Sequence, residues 1–250
     1  MKYIVIIPAR YESSRFPGKP LAKIAGEEMI VRVCRQVEKA GVEAVVATDD
    51  SRIFDCVEKA GFKAVMTSSS HRSGTERVEE AYRKLNTDAE VVINVQGDEP
   101  FIRPEQIKKI VDIFENNPDA VLATLCKKFD PQQGFDALFD PNLVKVVYSD
   151  KMEALYFSRS IIPYVRKTDW KNWLKEAEFY THIGIYGYKA KTLSQIVKLP
   201  ESSLEKAESL EQLRWLQNGL KINVALTEFS TIGIDTEADL HAAEEMLKGE

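Results

Sequence analysis

The stretch YIVIIPARYESSRFPGKP, residues 3 to 20, joins an apolar run to a cationic loop. Tyr3 to Ile7 is an apolar run rich in β-branched residues and without strict alternation, which is the pattern of a strand buried on both faces. At Pro8 the run stops, and the chain enters a loop rich in proline, glycine and serine that carries Arg10, Arg15 and Lys19. Three cations so close together repel one another, so an anion is expected among them. Backbone N–H groups in glycine-containing turns form anion-binding hollows, and arginine adds paired planar donors that a lysine ammonium lacks. The loop is not a Walker A motif, because Gly18-Lys19 is followed by Pro20 with no Ser or Thr, and it is not GxGxxG.

Glu43 to Thr48, Ala64 to Thr67 and Val91 to Val95 repeat the strand signature of Tyr3 to Ile7. Between them, Met29, Ile30, Val33 and Val37 share one helical face that stops before Gly41, and Ile53, Val57 and Ala60 repeat the pattern before Gly61. Strands alternating with helices mean βαβ units, right-handed crossovers and a mostly parallel sheet, an α/β fold of the doubly wound kind. Ligands of such sheets bind outside the carboxyl ends of the strands. The polar clusters fall there: Arg10 to Lys19, then Thr48-Asp49-Asp50, Ser73-Gly74-Thr75 and Gln96-Gly97-Asp98-Glu99.

From about Leu122 the pattern changes. LVKVVYSD, EALYFSR and HIGIYGY read as strands with aromatic content and few helices between them, a smaller and more antiparallel segment of about residues 122–190 within one domain spanning 1–250. Lys167 to Phe179, with Trp170 and Trp173 among charges, reads as a loop or short helix near the opening of the site. Leu204 to Gln217 returns to helical spacing, KINVAL is a further strand, and Thr236 to Leu247 is a closing helix with Thr236 as its N-cap.

A chain of 250 residues with 44% hydrophobic content can bury a substantial core. Its formal net charge of -5 argues against a nucleic-acid binder, which needs a basic face. Cys34, Cys56 and Cys126 are far apart and lack metal-ligand or disulfide spacing, so buried free thiols are expected. The first apolar run is too short for a signal segment or a membrane span, and no membrane insertion is expected. A cytoplasmic protein follows from these readings.

Two acids could hold a metal. Asp98 in QGDEP stands just past a strand, where a carboxylate facing a polyphosphate is the usual holder of Mg²⁺, although Gly-Asp before Glu-Pro also reads as a turn. Asp235 follows a strand and precedes a helix, so alone it reads equally as a capping residue or a ligand.

With IIPARYESSRFPGKPL, ATDD, SGTER, NVQGDEP, VKVV, ALYFSR, HIGIYGY, LEQLR and the late Asp235-Thr236 in that order, the chain resembles the 3-deoxy-manno-octulosonate (Kdo) cytidylyltransferases. The likeness runs nearly end to end, with no motif in Asp130 to Pro141 or Lys167 to Phe179. It implies a Rossmann-like nucleotidyltransferase sheet, a smaller segment forming a homodimer interface, and a reaction of CTP with Kdo that gives CMP-Kdo and pyrophosphate with Mg²⁺ for lipopolysaccharide synthesis. It further implies that Arg10, Arg15 and Lys19 embrace the triphosphate, with Arg10, Lys19, Asp98 and Asp235 counted as catalytic. Ser73 and the backbone of Pro8, Ala9 and Arg10 would read the cytosine, Gln96 would sit near the sugar, and Asp98 and Asp235 would hold the metal. Arg159, His182, Tyr186, Glu211 and Gln212 would bind Kdo. The residues leave alternatives open: His182 and Tyr186 as core side chains, one of Glu211 and Gln212 as structural, an amino-substituted Kdo or sialic acid as the sugar, and a nucleotide sensor without catalysis.

Overall fold

The structure is a computed structural model and describes residues 1–13 and 15–248; Ser14, in the middle of the opening loop, lies outside them. The chain divides into two compact units. The first comprises Met1–Lys108, Gly187–Val197 and the stretch from Thr231 onward, and the second comprises Lys109–Tyr186 and Lys198–Ser230.

The chain opens with β1 (Tyr3–Ala9) and a small hairpin, β2 (Lys23–Ile24) and β3 (Glu27–Glu28). There follow α1 (Met29–Lys39), β4 (Glu43–Thr48), α2 (Ser51–Lys59), β5 (Lys63–Met66), α3 (Gly74–Leu85) and β6 (Val91–Asn94). These strands lie in the order β6, β1, β4, β5, every pair parallel, which is the α/β class expected from the alternating pattern. Burial explains the composition of β1, where Ile4, Val5, Ile6 and Ile7 are all buried between two neighbouring strands. Its ladder on β4 runs from Ile4 opposite Glu43 to Ala9 opposite Thr48, but its ladder on β6 ends at Ile6 opposite Asn94. Pro8, which has no N–H to donate, thus lies beyond the end of β6 and forfeits no bond on that side.

The remaining elements are α4 (Pro104–Asn116), β7 (Leu122–Lys128), α5 (Phe135–Phe139), β8 (Lys145–Tyr148), β9 (Ala154–Ser158), α6 (Trp173–Glu176), β10 (Tyr180–Lys189), α7 (Ala190–Ile196), α8 (Ser203–Glu208), α9 (Gln212–Gln217), β11 (Asn223–Leu226) and α10 (Glu237–Lys248). In the second unit β8 pairs antiparallel with both β9 and β10, while β11 pairs parallel with β7. This unit therefore mixes the two senses, and it includes residues 198–230 besides most of the segment read from the sequence as 122–190.

Three local features refine the sequence reading. The helical stretch Leu204 to Gln217 is two helices, because Ser209 adopts φ 52, a left-handed conformation that ends α8. Lys167 to Phe179 holds a single 3-10 turn (Trp170–Asn172) and α6, and its two tryptophans diverge: Trp173 packs with Phe129, Leu138 and Phe179, whereas Trp170 is exposed. Of the three free cysteines, Cys34 and Cys126 are buried and Cys56 is half-buried.

At the end of the chain, Thr236 Oγ1 accepts from the Asp239 N–H at 3.2 Å, and the Asp239 carboxylate in turn accepts from the N–H groups of Asp235 and Thr236. This reciprocal cap starts α10. Ile234, Ala243 and Leu240 then pack with Ile24, Met29, Phe16 and Phe101, which fixes the entry to α10 against the hairpin and the opening loop.

Gly97 marks the tightest approach near the sheet's carboxyl end: a Cβ there would lie 2.8 Å from the carbonyl oxygen of Pro8. Since that neighbour is backbone, relief requires β1 or the QGDEP loop to move. Gly97→Ala is expected to cost roughly 1–3 kcal/mol in urea unfolding, the range for overpacking a close contact. An unchanged midpoint would show that the two segments are not held at this separation.

Candidate active site

A cavity of about 270 Å³ opens in the first unit at the carboxyl ends of β1 and β6. Of the residues singled out in the sequence, Pro8, Ala9, Arg10, Arg15, Lys19, Ser73, Gln96, Asp98 and Asp235 all line it. They come from four separate stretches of chain, as the strand-end rule for parallel sheets requires.

The charged centre of this cavity is compact. Lys19 Nζ lies 2.7 Å from Asp98 Oδ2 and 3.1 Å from Asp235 Oδ1, and Arg15 Nη2 lies 3.0 Å from Asp235 Oδ2. Asp235 thus spends its side chain on cations, and the capping of α10 falls to Thr236 and Asp239. Next to Asp98, Glu99 behaves differently: burial first, and then the charge of Asp98, pushes its carboxyl up to about 8, against a smaller opposing effect of the Thr231 hydroxyl. Of the adjacent acids in QGDEP, Asp98 is the one exposed to the cavity and Glu99 is the neutral, buried one at pH 7.

Local structure puts each group in place. Gly18 has φ 73 and its N–H donates to the Tyr11 carbonyl at 2.8 Å, while a Cβ on Gly18 would press within 3.1 Å of the Tyr11 ring. That closed loop leads into the 3-10 turn Lys19–Leu21, anchored by buried Pro20, and aims Lys19 inward until only 13% of its side chain is exposed. The Ile234 N–H donates to the Asp98 carbonyl at 2.9 Å, so the segment carrying Asp235 is bonded directly to the loop carrying Asp98.

Ser73 is the N-cap of α3, accepting from the Glu76 N–H at 3.2 Å, and Gln96 donates to Asn94 Oδ1 at 3.4 Å. Three titratable side chains that also line the cavity have no role in the sequence reading: His71, Arg72 and Arg77. His71 and Arg77 are both locked from behind. His71 Nε2 bonds Glu80, and Arg77 donates to Thr67 Oγ1 at 2.7 Å and to Asp49 Oδ2 at 2.8 Å. The acids of ATDD are accounted for in this way: Asp49 holds Arg77, and Asp50 caps α2 through the Arg52 N–H at 2.9 Å. Neither lines the cavity, although their position after β4 suggested it. The signal for Arg77 was present in SGTER, four residues after the capping serine and hence on the same side of α3.

Among the described residues no group of three or more His, Cys, Asp or Glu side chains is arranged to hold a metal. Asp98 and Asp235 nevertheless direct oxygens at one point, the ammonium of Lys19, so a cation seat exists between them. Two carboxylates are the usual protein share of a Mg²⁺ ion that otherwise binds phosphate oxygens and water.

Arg159, His182, Tyr186, Glu211 and Gln212 all lie in the second unit. The Arg159 guanidinium donates to the carbonyls of Glu208 at 2.6 Å, Pro141 at 2.8 Å and Ser209 at 3.2 Å. It ties the end of α8 to the loop before β8, and it lines a second cavity with Phe139, Pro141, Ser160, Ile161 and Trp173. His182 bonds Thr124 Oγ1 at 2.8 Å and packs edge-on against Phe157, and Tyr186 lies between the rings of His182 and Trp215. Glu211 approaches Arg214 Nη2 at 3.5 Å, and Gln212 is buried.

The family model described as cytidylyltransferase matches residues 4–222. A 3-deoxy-manno-octulosonate cytidylyltransferase of Parabacteroides distasonis is 53% identical over 244 residues, 97% of each chain. One from Thermodesulfovibrio yellowstonii is 48% identical over 255 residues, covering 99% of this chain and 98% of that one. Among solved structures, a CMP:2-keto-3-deoxy-manno-octonic acid synthetase complexed with CTP superposes with a TM-score of 0.91 at 40% identity, over 100% of this chain and 99% of that one.

Burial lowers the His182 imidazole from its ordinary 6.5 to about 3. The folded state therefore binds fewer protons than the unfolded state between those values. The stability that a neutral His182 contributes is complete above about pH 6.5 and is lost as pH falls through the window. Relative to His182→Gln, which has no proton to gain, the unchanged protein should lose stability below pH 6.5 with a slope approaching about 1.4 kcal/mol per pH unit. Urea unfolding at pH 7.5, 6.5 and 5.5 measures this, and parallel profiles would contradict it.

Proposed function

The chain belongs to the cytidylyltransferase family, and on that premise we propose that it transfers CMP from CTP to the anomeric hydroxyl of Kdo, releasing pyrophosphate. The observation that carries the reading is the convergence of the loop cations on Asp98 and Asp235 in a chain that is 53% identical, nearly end to end, to a Kdo cytidylyltransferase.

The anomeric oxygen attacks the α-phosphorus in line. The new bond joins that oxygen to phosphorus as the hydroxyl proton passes to water, the bond from the α-phosphorus to the bridging oxygen breaks, and pyrophosphate departs with the electron pair. The protein has little covalent work to do, so positioning and charge neutralisation carry the rate. Arg10, Arg15 and Lys19 surround the triphosphate and stabilise charge on the departing pyrophosphate. Ser73 and the backbone of Pro8 to Arg10 read the cytosine, and Gln96 faces the sugar. Asp98 and Asp235 are the residues that would hold Mg²⁺, which when bound supplies charge neutralisation at the phosphates. Arg159, His182, Tyr186, Glu211 and Gln212 are assigned to Kdo, with His182 acting as a neutral hydrogen-bonding group. A homodimer belongs to the same reading, and three free cysteines are in keeping with a reducing cytoplasm. Among the described residues no helix is long and apolar enough to cross a membrane.

Pyrophosphate release measured with Mg²⁺ and CTP is expected with Kdo and not with ATP, GTP or UTP in place of CTP. Release only with an amino-substituted Kdo or with N-acetylneuraminate would transfer the sugar-side residues to that ligand, and no release with any pair would favour a sensor.

Asp98→Asn, nearly isosteric and still able to accept the Ile234 N–H through its backbone, should leave the unfolding midpoint close to unchanged while lowering kcat by about 100-fold or more, in line with loss of an electrostatic group at the reacting phosphates. Near-normal turnover with unaltered dependence on Mg²⁺ would remove Asp98 from the metal site.

A further inference from the structure

The cation seat between Asp98 and Asp235 is filled by the protein itself. Lys19 Nζ bonds both acids, at 2.7 and 3.1 Å, and is the most enclosed of the group, 13% exposed against 34% for Asp98 and 47% for Asp235. Arg15 takes the other oxygen of Asp235 at 3.0 Å. Two acids and two cations balance locally, so nothing electrostatic draws a further dication into the nucleotide-free cavity. A metal ion arriving alone would have to break two charge-assisted hydrogen bonds and sit beside two positive groups.

We propose that Lys19 is an internal counter-ion that closes the metal seat until a triphosphate draws its ammonium away, so that the divalent cation enters with the nucleotide or after it. This rests on the reading of Asp98 and Asp235 as the metal's carboxylates. The local structure suits such an exchange. The Lys19 backbone is fixed in the turn after Gly18, with Pro20 buried behind it, so only the side chain has to move. Its four-carbon stem carries a point charge that can pass from carboxylate to phosphate without giving up a planar pairing, which an arginine at this position would lose. The triphosphate brings the negative charge that makes both the released ammonium and the incoming dication favourable in one step. Lys19 thereby couples nucleotide occupancy to metal occupancy.

The test uses Mn²⁺ as the probe, with free Mn²⁺ followed by electron paramagnetic resonance on the full chain without nucleotide. Lys19→Met and Lys19→Gln, both uncharged, should bind Mn²⁺ about tenfold or more tightly than the unchanged protein. Their melting temperatures should also rise with Mn²⁺ alone, while that of the unchanged protein stays put. Adding Asp98→Asn to either variant should abolish the gain. Unaltered Mn²⁺ affinity in both variants, or a gain that survives Asp98→Asn, overturns the proposal. The underlying metal reading has a separate arm. With CTP present, Mn²⁺ retention by the unchanged protein should fall in Asp98→Asn. If that fall is seen but the nucleotide-free variants show no gain, the metal reading stands and the counter-ion role fails. If no fall is seen, both fail.

Discussion

The hydrogen bond from the Ile234 N–H to the Asp98 carbonyl is the constraint on which the charged centre depends. It joins a strand-end loop to a segment far along the chain, and the apolar packing of Ile234, Leu240 and Ala243 on Phe16, Ile24, Met29 and Phe101 keeps the two in contact. A single backbone bond contributes on the order of 1 kcal/mol net. Its importance here is geometric, because it sets the separation of two acids that otherwise have no covalent reason to approach. With both carboxylates placed, one ammonium suffices to bridge them.

Within that frame, burial sorts neighbouring groups of the same chemistry into different work. Asp98 and Glu99 are adjacent acids, yet one faces the cavity and the other is enclosed and neutral. Arg15 and Arg77 both line the cavity, yet Arg15 is exposed and reaches forward to Asp235, while Arg77 is locked behind by Asp49 and Thr67. The same division appears at Arg159, whose guanidinium is committed to three carbonyls and so acts on its surroundings as a strut whatever else it touches. Charge alone does not tell these roles apart; access to solvent and the identity of the partner do.

How far the sequence could be read follows from the range of the interactions. Strand β1, strand β4, helix α1 and the cap at Thr236 depend on near neighbours and on periodicity, and they were legible. QGDEP was legible as a strand-end loop because glycine and acids after a buried run have few other uses. The meeting of Lys19 with Asp235 spans 216 residues, and no local pattern reports it; only the likeness to a family put those two residues in one site. The break at Ser209 escaped because a serine in the left-handed region leaves no mark on helical spacing. The ATDD acids misled for a related reason. Their position was right for a cleft, but a partner on another helix had already claimed one and an adjacent turn the other.

The order in which the groups appear along the chain carries a consequence for biogenesis. The loop cations and Asp98 lie within the first hundred residues, whereas Asp235 follows after more than a hundred others. During synthesis, a chain that has built the parallel strands and the anion loop still lacks the second acid and the helix that holds it. Such a nascent chain holds the loop cations and Asp98 but lacks the second member of the carboxylate pair. In the order of synthesis, the second acid thus follows the strands and the loop that it meets in the fold.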